Sequence, residues 1–352
     1  MGGTWDPISL PVRPGLYINF VEAAAAQIKG GARGVVALPL FEYEGTAIAG
    51  QFYTVEKEIE AIQLFGADAV EPISLVLQGG AKEVLVYTVP AIAGDTVSAA
   101  EYAGIRDVFS TRQFNVFVYP ELLSADERLA AQHWCKDSRE DEGKHFIAVF
   151  GGSLTDDSSI DTGNQRSIDL ADDYVVNLVT GAVINGGTYS SASYAPYIAG
   201  LIAGTAINKS ITYSPVRAND VNKRLKNSEI NRSLQQGSLV LVHDGEKVKV
   251  EQGLVTSGRK IRAIRARQAI ATDIPKAAAE SYIGKLDNNA DGQAALIAAV
   301  KAYLERLELN NVLTDIAVTL DPERKSEGDT VYLLIGFTEI DSMERILLTI
   351  KV

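Results

Sequence analysis

Cys135 is the single cysteine of the chain, and three histidines, His133, His145 and His243, stand in different stretches. A thiolate–imidazole pair needs its two side chains within hydrogen-bond reach. His133 and Cys135 fall on one expected helix, where residues two apart face different directions. That spacing points to a packed helix carrying a buried thiol. Asp287-Asn288-Asn289-Ala290-Asp291-Gly292 places oxygen donors at the first, third and fifth positions of a calcium loop and glycine at the sixth. The twelfth position, where a bidentate glutamate belongs, is Ala298, so the segment reads as a capped helix start. Asp156, Asp157, Asp161, Asp169, Asp172 and Asp173 crowd one polar stretch. Paired acids can hold a metal or cleave a glycosidic bond, but the surrounding Ser, Thr, Gly and Asn predict a solvated loop. Gly30-Gly31-Ala32-Arg33-Gly34 and Gly186-Gly187 lack the strand–glycine–helix setting of a nucleotide site, and no phosphate loop is present. The expected catalytic, cofactor and metal sets are therefore empty, and a non-enzyme is expected. An α/β metal-dependent hydrolase using Asp156, Asp157 or Asp161 is the alternative from another class.

The elements that would carry any site are legible as alternating strands and helices. Gly34–Leu40, Glu83–Val89, Asn115–Pro120, Phe146–Phe150 and Val175–Val179 are short, nearly all-apolar runs, the pattern of buried strands. Helices are expected over Thr54–Phe65, with Thr54 as N-cap and Val55, Ile59, Ile62 and Leu64 inward, and over Ile73–Leu77, closed by Gly79-Gly80. Further helices are expected at Ser98–Phe109, Ser124–Glu140 and Ala195–Thr205, the last rich in small residues and suited to close packing. His243-Asp244-Gly245-Glu246 joins two alternating runs and predicts a hairpin. Gln293–Leu307 has one apolar stripe, followed by strands at Ile316–Leu320 and Val331–Phe337.

The two ends are different. Ile8, Leu10, Val12, Leu16 and Ile18 share one parity, broken by Pro11 and Pro14, and Ile346, Leu348, Ile350 and Val352 alternate with Arg345, Leu347, Thr349 and Lys351 to the last residue. A period of two puts each set on one sheet face. Neither has an obvious partner within the chain, so both are expected to pair with other subunits. The expected fold is an α/β main body with a mixed sheet covered by helices, a smaller α+β C-terminal domain, and extended N- and C-terminal arms. The corresponding boundaries are 1–20 for the first arm, 21–255 for the body, 256–343 for the second domain and 344–352 for the last strand.

Composition sets the outer limits. The chain has 352 residues, 46% hydrophobic and 22% charged, which is ordinary for a globular protein large enough for two or three domains. No apolar run approaches the roughly 18 residues of a membrane helix, and the start has no basic region followed by an apolar core. Synthesis in the cytoplasm is expected. The net charge is −12, with 20 Lys+Arg against 31 Asp+Glu in residues 1–255 and 13 against 14 in residues 256–352. Such a body repels nucleic acid and anionic membrane. Arg259, Lys260, Arg262, Arg265 and Arg267 are the exception, either a solvated face or a docking face for an acidic partner.

The run Tyr194–Thr205, continuing through Asn208-Lys209-Ser210-Ile211-Thr212-Tyr213, resembles the middle of contractile-tail sheath proteins. Tyr282-Ile283-Gly284-Lys285 with Asn288-Asn289 and the helix through Tyr303-Leu304 extend that likeness. Gly3-Thr4-Trp5, Arg13-Pro14-Gly15-Leu16-Tyr17 and Arg33-Gly34 are similar to sheath subunits of phages and prophages of Gram-positive bacteria. The ordered set spans nearly the whole chain. The resemblance implies a sheath subunit of a myophage tail or a phage-tail-like bacteriocin, polymerising as stacked hexameric rings around an inner tube and shortening to drive the tube through a target envelope. A type VI or extracellular injection-system sheath is the near alternative. The resemblance also implies that both arms add strands to C-terminal domains of neighbours. Other copies, the inner tube protein, baseplate and tail terminator are the implied partners, with no nucleic acid or membrane bound. The implied location is the bacterial cytoplasm during assembly and then the tail or released particle. Arg259, Lys260, Arg262, Arg265, Arg267, Lys301 and Arg306 are candidates to face the tube. Many relatives insert a β-rich domain after the strand matching Val84–Val89; Pro90–Asp95 leaves little room for one here.

Overall fold

A computed structural model describes residues 28, 33–92 and 96–351. Ile8, Leu10, Val12, Leu16 and Ile18 lie outside the described residues, as does Val352. The first part of the chain contains β1 (Val35–Leu40), β2 (Phe52–Val55), α1 (Glu58–Phe65), α2 (Glu71–Gly79), β3 (Glu83–Thr88), α3 (Ala99–Ser110), β4 (Val116–Val118), α4 (Ala125–Glu140) and β5 (Ile147–Phe150). It continues with α5 (Leu154–Asp157), α6 (Ile160–Asp169), β6 (Val175–Asn177), β7 (Ala182–Ile184), β8 (Gly187–Tyr189), α7 (Ser191–Gly204), β9 (Asp220–Val221), α8 (Asn227–Gln235), β10 (Leu241–His243) and β11 (Val248–Val250). The last part is α9 (Ile261–Ser281), α10 (Ala290–Leu309), β12 (Leu313–Leu320) and β13 (Leu333–Glu339).

Among the described residues the main sheet has six strands in the order β2-β3-β1-β4-β5-β6. All neighbours run parallel except β2, which pairs antiparallel with β3 at the edge. Every residue of β1, β4, β5 and β6 is buried, which is why these strands read as unbroken apolar runs. On α3 the side chain of Ser98 accepts from the backbone of Glu101 and the carboxylate of Glu101 returns to Ser98, a complete capping box; on α4 the side chain of Ser124 accepts from Glu127 N, while the Glu127 carboxylate pairs with Arg106 instead. Helix α7 lies across β1, β4 and β5 and against α2. Its contact with α2 is backbone on backbone: a Cβ at Gly200 would strike the carbonyl of Val76, and one at Gly79 the carbonyl of Tyr197.

Two expected elements are corrected. Thr54 caps no helix; it lies in β2 opposite Leu85, and the helix starts only at Glu58. The open edge of β3 offers backbone partners, and Phe52–Val55 takes them in preference to a helical turn. Ala61 and Phe65 are then the buried residues of α1, while Ile59 and Ile62 face out. The acidic stretch is not a solvated loop. Ser153 and Asp156 form a capping box on α5, and the side chain of Asp157, 2% exposed as a residue, accepts from Ser191 N at 2.7 Å, Ser191 Oγ at 2.5 Å and Asn222 Nδ2 at 2.7 Å.

In the last part α9 and α10 pack with β12–β13 around Ile270, Tyr303, Leu304, Val312 and Leu313. Ile28, 1% exposed, belongs to this second core, whereas the sequence boundaries assigned it to the body. The side chain of Asn289 accepts from Gly292 N at 2.9 Å and caps α10, as the failed calcium loop implied. Beyond Ile340, residues 341–351 form no helix and pair with no strand among the described residues.

Candidate assembly surface

Residues 345–351 are uncovered. Ile346 is 67% exposed, Leu347 94%, Leu348 82% and Ile350 82%. Apolar side chains in such a run cost free energy in water, about 25 cal/mol per Å² left uncovered. Single exposed apolar residues are ordinary; a contiguous run marks a surface that another chain covers. Next to this run in sequence stands its opposite. The Glu344 side chain is 9% exposed and is paired with Lys260. Its Oε2 also accepts from Gln252 Nε2 at 2.7 Å, and its Oε1 from Thr212 Oγ1 at 2.7 Å and Ser342 Oγ at 3.0 Å. Ser210 Oγ lies 3.3 Å from Oε1. Burial alone would raise the Glu344 pKa, but the hydrogen bonds from Gln252, Lys260 and Thr212 and the Lys260 charge outweigh it and bring it to about 2.

At the other end of the described chain, Ile28 and Arg33 are held by the C-terminal helices. Arg33 Nη2 meets Asp273 Oδ2 at 2.6 Å, and Tyr303 Oη donates to the same oxygen at 2.6 Å. Arg306 donates to the Ile28 carbonyl. The residues that lead into both termini are thus tied to this protomer by charged groups.

The basic run is mostly internal. Arg265 is 8% exposed and donates to the carbonyls of Thr205 and Ala206, where α7 ends. A cation there meets unpaired carbonyls and the negative end of the helix dipole. Burial, with Arg33 nearby, lowers the Arg265 pKa to about 10, which leaves it charged at neutral pH. Arg262, also 8% exposed, donates to Asn311 O at 2.8 Å; Arg267 pairs with Glu339, and Lys260 with Glu344. Only Arg259 keeps half of its side chain exposed while meeting Asp173 at 3.3 Å. Of the outer candidates, Lys301 is 55% exposed in its side chain, 3.9 Å from Glu305. A docking face built from all five consecutive cations does not exist on this fold, because α9 turns Arg262 and Arg265 inward to staple other segments.

The other chemical candidates are separated or neutralised. Cys135 is buried with Sγ 3.4 Å from Phe146 O, and burial raises its thiol pKa, while His133 is exposed on the other face of α4. A cleft of about 440 Å³ does gather Asp156, Asp161 and Asp169, but Arg128 and Arg166 line it too. Asp156 lies 3.9 Å from Arg166 and Asp161 2.6 Å from Arg232. Among the described residues no three His, Cys, Asp or Glu side chains form a metal-binding group. No helix of the described residues is long and apolar enough to cross a membrane.

The Glu344 anchor and the Asp273 triad went unrecognised in the sequence. A lone acid carries no local signature when its charged partner is distant in sequence, as Lys260 is from Glu344 and Arg33 from Asp273, and only the alternation after Glu344 marked the segment.

A two-part α/β chain that continues into an uncovered apolar terminus has the architecture of a structural assembly subunit. The phage tail sheath protein central-domain model matches residues 95–256 and the phage tail sheath C-terminal-domain model residues 256–352. The chain belongs to the phage tail sheath family and is a contractile tail sheath subunit. It is 24% identical over 324 residues to the tail sheath protein of Clostridium phage phiCD119, covering 89% of this chain and 85% of that protein. Its fold is similar to the sheath tail protein of Desulfitobacterium hafniense, with a TM-score of 0.72, 18% identity, and coverage of 93% of this chain and 100% of the other. It is equally similar to the anti-feeding prophage helical sheath in the contracted state, with a TM-score of 0.73, 17% identity, and coverage of 97% and 99%.

Proposed function

We propose that this subunit polymerises as stacked rings around an inner tube, linked by its ends, and that the lattice shortens to drive the tube into a target envelope. The observation that carries this reading is the uncovered run at Ile346–Ile350 in a chain whose C-terminal sheet consists, among the described residues, of β12 and β13 alone. A two-stranded sheet is marginal by itself and has open edges. Strand addition from a neighbour supplies the missing backbone partners and covers the apolar face. Each such hydrogen bond contributes about 1 kcal/mol net. Many of them around a ring, with each subunit held at several points, make loss of one subunit rare. Ile8, Leu10, Val12, Leu16 and Ile18 are proposed to act likewise from the other end.

Shortening is then a shift between two packings of the bodies, driven by their difference in contact energy, while the exchanged strands keep the lattice joined. Baseplate and terminator proteins bound the polymer at its ends, and assembly takes place in the bacterial cytoplasm. Of the cations first assigned to the tube, Arg259 and Lys301 are the ones free enough to meet it.

Deletion of residues 345–352 tests the reading. The truncated protein should remain folded, with an unchanged unfolding transition, and form no long polymers on cognate tubes by negative-stain microscopy. Charge reversal of Arg259 and Lys301 in the same assay should shorten the polymers. Polymers of native length from the truncated protein would refute the linkage.

A further inference from the structure

We infer that Glu344 is a positioning residue: its largely enclosed carboxylate staples the root of the C-terminal arm to the body, so that the donated strand begins at Arg345 and its direction is set by the body. This rests on the arm reading above and deepens it.

The change in environment is abrupt. Glu344 is enclosed by Lys260, Gln252, Thr212, Ser210 and Ser342, and from Arg345 through Ile350 every residue is exposed. A carboxylate so largely withdrawn from water would be unfavourable without partners; here charge-assisted and neutral donors converge on its two oxygens, the arrangement that gives strong and directional bonds. Thr212 is itself fixed, because its Oγ1 accepts from Gly253 N at 3.0 Å and so directs its own proton to Glu344.

The anchor also crosses the division between the matched domains. Ser210, Thr212 and Gln252 lie within residues 95–256, whereas Glu344 lies within 256–352. The arm root is therefore fastened to the central domain as well as to Lys260 at the start of α9. Two consequences follow for exchange between subunits. With Glu344 already held on the body, less of the chain remains to be ordered on docking, which lowers the entropy cost of strand addition. Rotation of a body also carries the start of its donated strand with it, so the bend has to occur at or beyond Arg345.

Glu344→Gln keeps the shape of the side chain and removes the charge. Hydrogen–deuterium exchange of the full-length protein should show amides 341–346 exchanging at least tenfold faster, with the global unfolding midpoint unchanged, and polymer yield on cognate tubes should fall several-fold. That combination separates positioning from general stability. Gln252→Ala removes a single neutral donor to Glu344 Oε2 and should give a smaller change in the same two measurements, which keeps the inference testable should Glu344→Gln fail to fold. Exchange and polymer yield at native levels in the variants would overturn it. If that result came while the 345–352 deletion still abolished polymers, the anchor would be wrong and the arm reading would stand; polymers from the deletion would remove the arm reading itself.

Discussion

Arg265 shows how little a charge run says by itself. Its five-cation neighbourhood in sequence suggests a surface, yet the guanidinium is spent on the carbonyls of Thr205 and Ala206. Replacing it with Met would leave the end of α7 without its donor inside a dry environment. Loss of hydrogen bonds to a charged group of this kind costs about 1.5–3 kcal/mol, so Arg265→Met should lower stability by about that amount in chemical denaturation, with no change in surface charge-dependent behaviour. A stability equal to that of the parent protein would place Arg265 on the surface after all. What was readable at this scale was local: helices beginning at Ser98 and Ser124 and a capped helix start within 287–292, which the structure resolves as Ser98 on Glu101, Ser124 on Glu127 and Asn289 on Gly292. These residues act on neighbours three positions away. Arg265, Asp273 and Glu344 act on residues far along the chain, and nothing in the local pattern declares those partners.

Among the elements, strands buried on both faces were readable because burial forces them to be apolar throughout, as β1 and β5 are. The small-residue character of α7 also translated directly into close packing on α2. Gly200→Ala tests that contact. The added methyl meets the backbone oxygen of Val76, which no rotamer change can move, so the helices must separate. Overpacking of this kind costs about 1–3 kcal/mol; a melting temperature within a degree of the parent would show that α2 yields freely. Several elements were not readable for identifiable reasons. β2 is decided by the edge of β3 rather than by its own residues. α5 and α6 carry a composition typical of loops, yet Ser153, Asp156 and Asp157 turn those polar side chains into caps and buried tethers. α9 contains Pro275 and places buried Arg262, Arg265 and Asp273 on its inward side, so its face does not register as apolar.

For the whole molecule, the α/β body with a covered mixed sheet and the α+β C-terminal part were both readable, and the family followed from ordered resemblance along the chain. The subunit is incomplete in one respect: it leaves its last residues uncovered while holding their root firmly. The surface proposed to cover residues 345–351 belongs to another copy, so it has no counterpart within one chain. The account depends on the claim that this segment is received by a different protomer. The direct measurement mixes isotopically heavy and light subunits carrying Leu348→Cys labelled with a photoactivatable cross-linker, which Cys135, being buried, does not compete for. After assembly on cognate tubes and irradiation, heavy–light peptide pairs should join position 348 to β12 or β13. Links confined to heavy–heavy and light–light pairs, with position 348 attached only within its own chain, would contradict the account.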